Sequence, residues 1–183
     1  MTILYTIGHS NRPLSDFLAI LHAQNIKHLI DIRTIPKSRF VPWSNQKSLQ
    51  TALKKAGIQY THMSELGGLR HAHKDSINMG WKNAGFRGFA DYMQTKEFYT
   101  ALKKLNQLIK RDKTVIMCAE SVPWRCHRSL IADAEIVRGI KVIHLINLTS
   151  MREHVLTDFA VVDKTKRPIQ ITYPVDKNDE LEI

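Results

Sequence analysis

Two cysteines, two arginines, a histidine and a carboxylate crowd into the stretch from Cys118 to Arg128, between an apolar run and a helix-like run. A thiol at the carboxyl end of a strand, followed by backbone amides and a helix start, is a candidate thiolate nucleophile. Arg125 or Arg128 would stabilise that thiolate, or hold an anionic substrate through bidentate contacts. Cys126 stands beside His127 close to the helix start, where the dipole lowers a thiol pKa, so it competes with Cys118 for the role. The bland alternative is that each cysteine is a small buried hydrophobe. The spacing of Cys118, Cys126 and His127 matches no standard zinc pattern, and adjacent side chains diverge on a helix. Neither a metal nor a cofactor is expected, nor a disulfide in a cytoplasmic chain.

Other groups fall at turns that would face the same edge of a sheet. Gly8 permits a tight turn, after which His9, Ser10 and Asn11 offer helix caps or ligand contacts. Asp31 and Arg33 end a second apolar strand and are expected on opposite faces, one of them reaching the crevice. Glu65 and Glu120 are carboxylates in loops near that edge, suited to proton transfer, to a ribose hydroxyl or to neutralising an arginine. Trp81 and Phe86, interleaved with Arg87 and other cations, are candidates for base stacking over phosphates. Phe89 and Tyr92, at helical spacing, are expected in the core. His9, Asp31, Glu120, Cys126 and His127 are the catalytic candidates. Ser10, Asn11, Arg33, Glu65, Trp81, Arg87, Arg125 and Arg128 are the candidate binding residues.

The elements that must position these groups alternate in type. Strands are expected at Ile3–Ile7, His28–Arg33, Ile58–His62, Thr114–Met117 and Lys141–Ile146, all too short and apolar for helices. Helical spacing follows Pro13, runs from about Gln46 to Ala56, and covers Phe89 to Lys110 with a break near Thr95. A helix also follows at Ser129–Ala134. From Ser64 to Gly88 periodicity disappears over a stretch with five glycines, longer than ordinary loops and so a functional candidate. Beyond Asn147 one further helix and a short strand at Ile169–Tyr173 are expected. Such alternation specifies a single α/β domain over residues 1–175, with a mainly parallel central sheet and helices on both faces. An acidic tail occupies 176–183.

The chain has 183 residues, 43% of them hydrophobic, enough for one sizeable core. No apolar stretch approaches the roughly 20 residues that span a bilayer. The N-terminus lacks a signal-peptide pattern, so a cytoplasmic protein without membrane contact is expected. Net charge is +10, and between Arg33 and Asp75 eight Lys/Arg face two acids. That excess favours an anionic small molecule or nucleic acid as partner; nothing identifies a protein partner.

The layout of the Cys118 loop resembles that of rhodaneses and cysteine-dependent phosphatases. Those families place five residues between cysteine and arginine, whereas six separate Cys118 from Arg125. The loop also lacks glycine and carries Val122, Pro123 and Trp124, which work against curling around an oxyanion. A more specific resemblance rests on five separated motifs in order. They are Thr6–Asn11, Asp31-Ile32-Arg33, Glu65–Gly68, Phe86–Met93 and Cys118-Ala119-Glu120 through Cys126-His127-Arg128. Over about residues 3–147 these resemble the bacterial and archaeal family catalogued as domain of unknown function 488. The resemblance implies that the polar positions above form a site, and implies no reaction.

The leading expectation is a site at the strand carboxyl ends that binds, and processes, a nucleotide, nucleic acid or similar anion. The alternatives are a non-catalytic nucleic-acid-binding module and a cysteine-dependent sulfurtransferase- or phosphatase-like enzyme. Convergence of His9, Asp31, Glu120 and Arg128 on one pocket is the geometric test.

Overall fold

A computed structural model describes residues 2–175; the acidic tail lies outside the described residues. Its main sheet has six strands: β1 (Ile3–Gly8), β2 (His28–Asp31), β3 (Gln59–His62), β4 (Thr114–Cys118), β5 (Lys141–Leu145) and β6 (Met151–Glu153). Their order is β3-β2-β4-β1-β5-β6, parallel except for β6. Side chains alternate across this sheet and divide the core in two. Tyr5, Ile7, Leu29, Val115 and Met117 pack with α1 (Leu14–Ala23) and α2 (Gln46–Lys55). Leu4, Ile30, Ile116 and Val142 pack on the other face with α3 (Ala84–Tyr92), α4 (Lys96–Arg111) and α5 (Arg128–Ile136). The expected α/β architecture is the one observed.

Alternation also decides where the chemistry goes. Cys118 follows Ile116 onto the α3–α5 face, and Thr6 follows Leu4 onto it. From β2 the chain leaves toward β3, and from β4 it leaves toward β5, on opposite sides of the adjacent β2–β4 pair. Divergent connections of this kind open a crevice beyond the strand carboxyl ends.

The break near Thr95 falls where the sequence places it, because the Thr95 side chain accepts from the Phe98 N–H and starts α4. The aperiodic stretch is ordered by Asp91 of α3, which accepts from His73 N, Ser76 Oγ and Asn78 Nδ2. Phe89 is fully buried, whereas Tyr92 is half-buried beneath the Arg70 guanidinium.

Among the described residues the helix expected beyond Asn147 is absent. Asn147 Oδ1 instead accepts from the backbone of Thr149 and Ser150, which turns the chain back as β6 against β5. Two short antiparallel strands, β7 (Val161–Asp163) and β8 (Gln170–Thr172), complete the described chain. The latter lies within the strand expected there. Among the described residues no helix is long and apolar enough to cross a membrane.

Candidate functional site

Cys118 closes β4, and the chain then loops through a single helical turn, Pro123–Arg125, before α5 begins. That turn folds the chain back on the strand end, with Cys126 N–H donating to the Pro123 carbonyl. Both cysteines are buried, and their sulfurs lie 2.7 Å apart. The His127 ring follows, with Nδ1 3.6 Å from the Cys126 sulfur. Phe89 packs on that ring, and a Cβ at Gly68 would overlap it, so glycine there leaves the imidazole its room.

Arg128 holds the loop from beneath. Its side chain is completely buried, although it is the first residue of α5. Nη1 donates to Thr6 Oγ1 at 3.1 Å, while Nη2 donates to the carbonyls of Glu120 and Ser121. The loop therefore turns these carbonyls inward, onto a guanidinium. The N–H groups of Val122, Arg125 and Cys126 are taken by Glu120 Oε1 and by the Val122 and Pro123 carbonyls. Those three amides are therefore not free to cradle an oxyanion. Bulk and the absence of glycine are compatible with this carbonyl-in loop.

The two thiols are not equivalent. Burial works against a Cys126 thiolate, but donation from Cys118, the His127 imidazole and the Arg128 guanidinium outweigh it and hold Cys126 well below the usual thiol range. Burial, together with donation to Cys126, pushes the Cys118 thiol up. The two sulfurs titrate as a pair, in which these neighbours favour the negative charge on Cys126.

Arg128 also fixes a second network. A guanidinium only donates, so Thr6 accepts from it and passes its own proton to His144 Nδ1, 2.7 Å away. His144 must then donate from Nε2 to His154 Nδ1 at 3.0 Å, and His154 from Nε2 to Asp133 at 2.8 Å. Burial and neighbouring cations push His144 down to about 3, as a neutral ring in this chain requires. Thr157 and Tyr173 also donate to the buried Asp133 carboxylate. Every proton in the series is thus oriented from Arg128 toward Asp133.

Above the sulfurs opens a cavity of about 420 Å³. Cys118, Ala119, Glu120, Arg125, Cys126 and His127 form one side of it. Arg33, Thr34, Ile35 and Lys37 form another, closed by Gly68, Leu69, Asn83, Gly85 and Phe86. Arg125 and Lys37 are exposed at its rim, and neither has an ion-pair partner among the described residues.

The candidates read from the sequence separate into two groups. Glu120, Arg125, Cys126, His127 and Arg33 reach the cavity, though the Glu120 carboxylate caps its own loop and Arg33 is tied inward. His9, Asp31 and Arg128 do not line it, so the four groups of the geometric test do not converge. Asp31 and Arg33 share a face, as residues two apart on a strand do, and not opposite faces. They form a buried pair at 2.6 Å, with Tyr60 donating to Asp31 and Arg33 donating to the Ser44 carbonyl. His9 belongs to that network: its Nδ1 meets the Ser10 carbonyl, which leaves Nε2 to accept from Arg33. Burial, aided by Arg33, holds its pKa down despite the Ser10 contact.

The remaining candidates lie elsewhere. Ser10 and Asn11 turn away in the loop after β1, Ser10 with a left-handed φ of 50°. Glu65 is exposed beside Lys104, and Arg87 contacts the Met79 sulfur. Trp81 packs with Phe86, Phe159 and Tyr173, leaving Phe86 as the aromatic that lines the cavity. Thr34, Lys37, Gly68 and Asn83 were not among the candidates. Gly68 closes the Glu65–Gly68 motif; the signal for the other three is only their place in the two loops that follow Arg33 and Glu65.

Residues 13–135 match a family model described as "Domain of unknown function DUF488". No curated protein and no solved structure matches the chain.

Proposed function

Since the chain belongs to the DUF488 family, whose description names no activity, we propose from the geometry that the cavity is a thiol-dependent active site for a small anionic substrate. Cys126 is the nucleophile, and Lys37 and Arg125 attract the anion at the rim. The observation that carries this reading is the buried sulfur pair against Arg128, open to a cavity on its other side. Arg33 and Arg128, already engaged with protein groups, serve as scaffold and not as substrate ligands. Small size follows from the cavity volume, which admits a metabolite-sized group and not a folded polymer.

Alkylation tests both halves of the reading. At pH 7 Cys126 is expected to react about tenfold faster than a free thiol, because its thiolate fraction is larger. Anionic iodoacetate should gain on neutral iodoacetamide relative to their ratio with free cysteine, and K37E with R125E should reverse that gain. If neither cysteine outpaces a free thiol, the proposal fails.

One observation favours nucleic acid as a second reading. Phe40 is 96% exposed beside exposed Arg39, on the loop that carries Lys37 to the cavity rim. An exposed aromatic flanked by cations can stack on a base while the cations hold phosphates. A single-stranded oligonucleotide should then bind with an affinity that falls steeply with salt and is weakened by Phe40→Ala. A flat salt dependence removes this reading.

A further inference from the structure

We propose that Cys118 and Cys126 form a reversible disulfide during turnover, which makes the site a two-electron centre acting on small anionic disulfides. The inference rests on the reading of Cys126 as the cavity's nucleophile and adds a role for Cys118. The two sulfurs already lie 2.7 Å apart, so a small side-chain rotation brings them to the roughly 2.05 Å of a disulfide bond. Both residues also line the cavity, so an adduct formed on Cys126 stands beside Cys118. Placing a second thiol there has no value for a nucleophile that merely transfers a group to water. It has value for one whose adduct must be displaced.

The charges around the pair set its redox character. In the reduced form a Cys126 thiolate lies close to the fully buried Arg128 guanidinium. Oxidation gives a neutral disulfide and leaves that guanidinium without its counter-charge. A site that stabilises its reduced form holds an oxidising, easily reduced disulfide, the opposite of a structural one. Transient disulfides of this kind are compatible with a reducing compartment, where structural ones are rare.

The steps balance. The Cys126 thiolate attacks one sulfur of a disulfide R–S–S–R, forming a mixed disulfide and releasing one thiolate, RS⁻. Cys118 attacks the Cys126 sulfur and its proton passes to the departing sulfur, releasing the second thiol as RSH and closing the internal disulfide. Substrate has then gained two electrons and the protein has lost two. An external dithiol returns them by the reverse exchange and leaves as its own disulfide.

Glutathione disulfide, a small anionic probe, tests the scheme. Reduced protein is exposed to it, quenched in acid, alkylated and weighed by mass spectrometry. The native chain is expected to lose two hydrogens and both free thiols, and to recover both when reduced glutathione is added in excess. Cys118→Ser is expected to stop at one glutathionyl group on Cys126. A glutathionyl adduct that persists on the native chain overturns the disulfide while leaving Cys126 as nucleophile. An internal disulfide that resists excess glutathione overturns it too, since the bond is then structural. If neither sulfur reacts until the protein is unfolded, the nucleophile reading falls with it.

Discussion

Replacing Arg128 by methionine is expected to lower stability by about 3–5 kcal/mol, the usual cost of removing one partner from a buried charged network. Methionine fills similar space but donates nothing. The Glu120 and Ser121 carbonyls and Thr6 Oγ1 would lose their donor inside the protein, and the loop that positions Cys126 would lose its anchor. The Cys126 thiolate would lose the positive charge of Arg128, so the pH at which alkylation accelerates should move upward. A merely structural role would cut stability and leave that profile in place.

Cys126 has a depressed folded pKa, so its contribution is present above the ordinary thiol range and lost as pH falls through the folded value. The stability gap between native protein and Arg128→Met should therefore widen from pH 5 to pH 9 in denaturant titrations. Arg128→Lys keeps the charge but cannot reach three oxygens at once, and should fall between the two. A constant gap, with an unmoved alkylation profile, would show that Arg128 does not serve the thiolate.

Which parts of this arrangement were legible in the sequence follows from the range of the interactions involved. The short apolar run before Cys118 and Pro123 after it mark a strand and a turn, signals that act over a few residues. Five motifs were enough to place the polar groups near one edge. What those groups do there was not legible. His9, Asp31 and Arg33 have the composition of an active site, yet they satisfy one another in the core. Residue type does not reveal whether a charge faces a cavity or a neighbour. The Thr6 to Asp133 network was equally hidden, since β1 and β5 pair residues 138 apart, Thr6 and His144. The missed reversal at Asn147 had a local cause, an Asn side chain turning the chain where hydrophobic spacing alone permits another helix.

Glu135→Gln is expected to stabilise the protein at alkaline pH and to leave it nearly unchanged at acid pH. Glu135 lies on α5, completely buried, and neither carboxylate oxygen has a hydrogen-bond partner. Burial pushes its pKa up to about 8, against the opposing pull of Asn106 and Arg138. Asn106 Oδ1, also buried, lacks a donor too. A protonated Glu135 carries an O–H that can donate, and it avoids burying a charge. The folded state thus holds a proton that the unfolded chain releases near the ordinary Glu value. Stability from this group is fully present below that value and is lost as pH rises through about 8. At about 1.4 kcal/mol per pKa unit, the loss amounts to a few kcal/mol. Glutamine keeps the shape and a donor for Asn106 but carries no titrating proton. Urea titrations should therefore give nearly equal midpoints at pH 4 and a higher one for the variant at pH 9. Parallel pH–stability curves for the two proteins would show that Glu135 is ionised, or solvated, in the folded state.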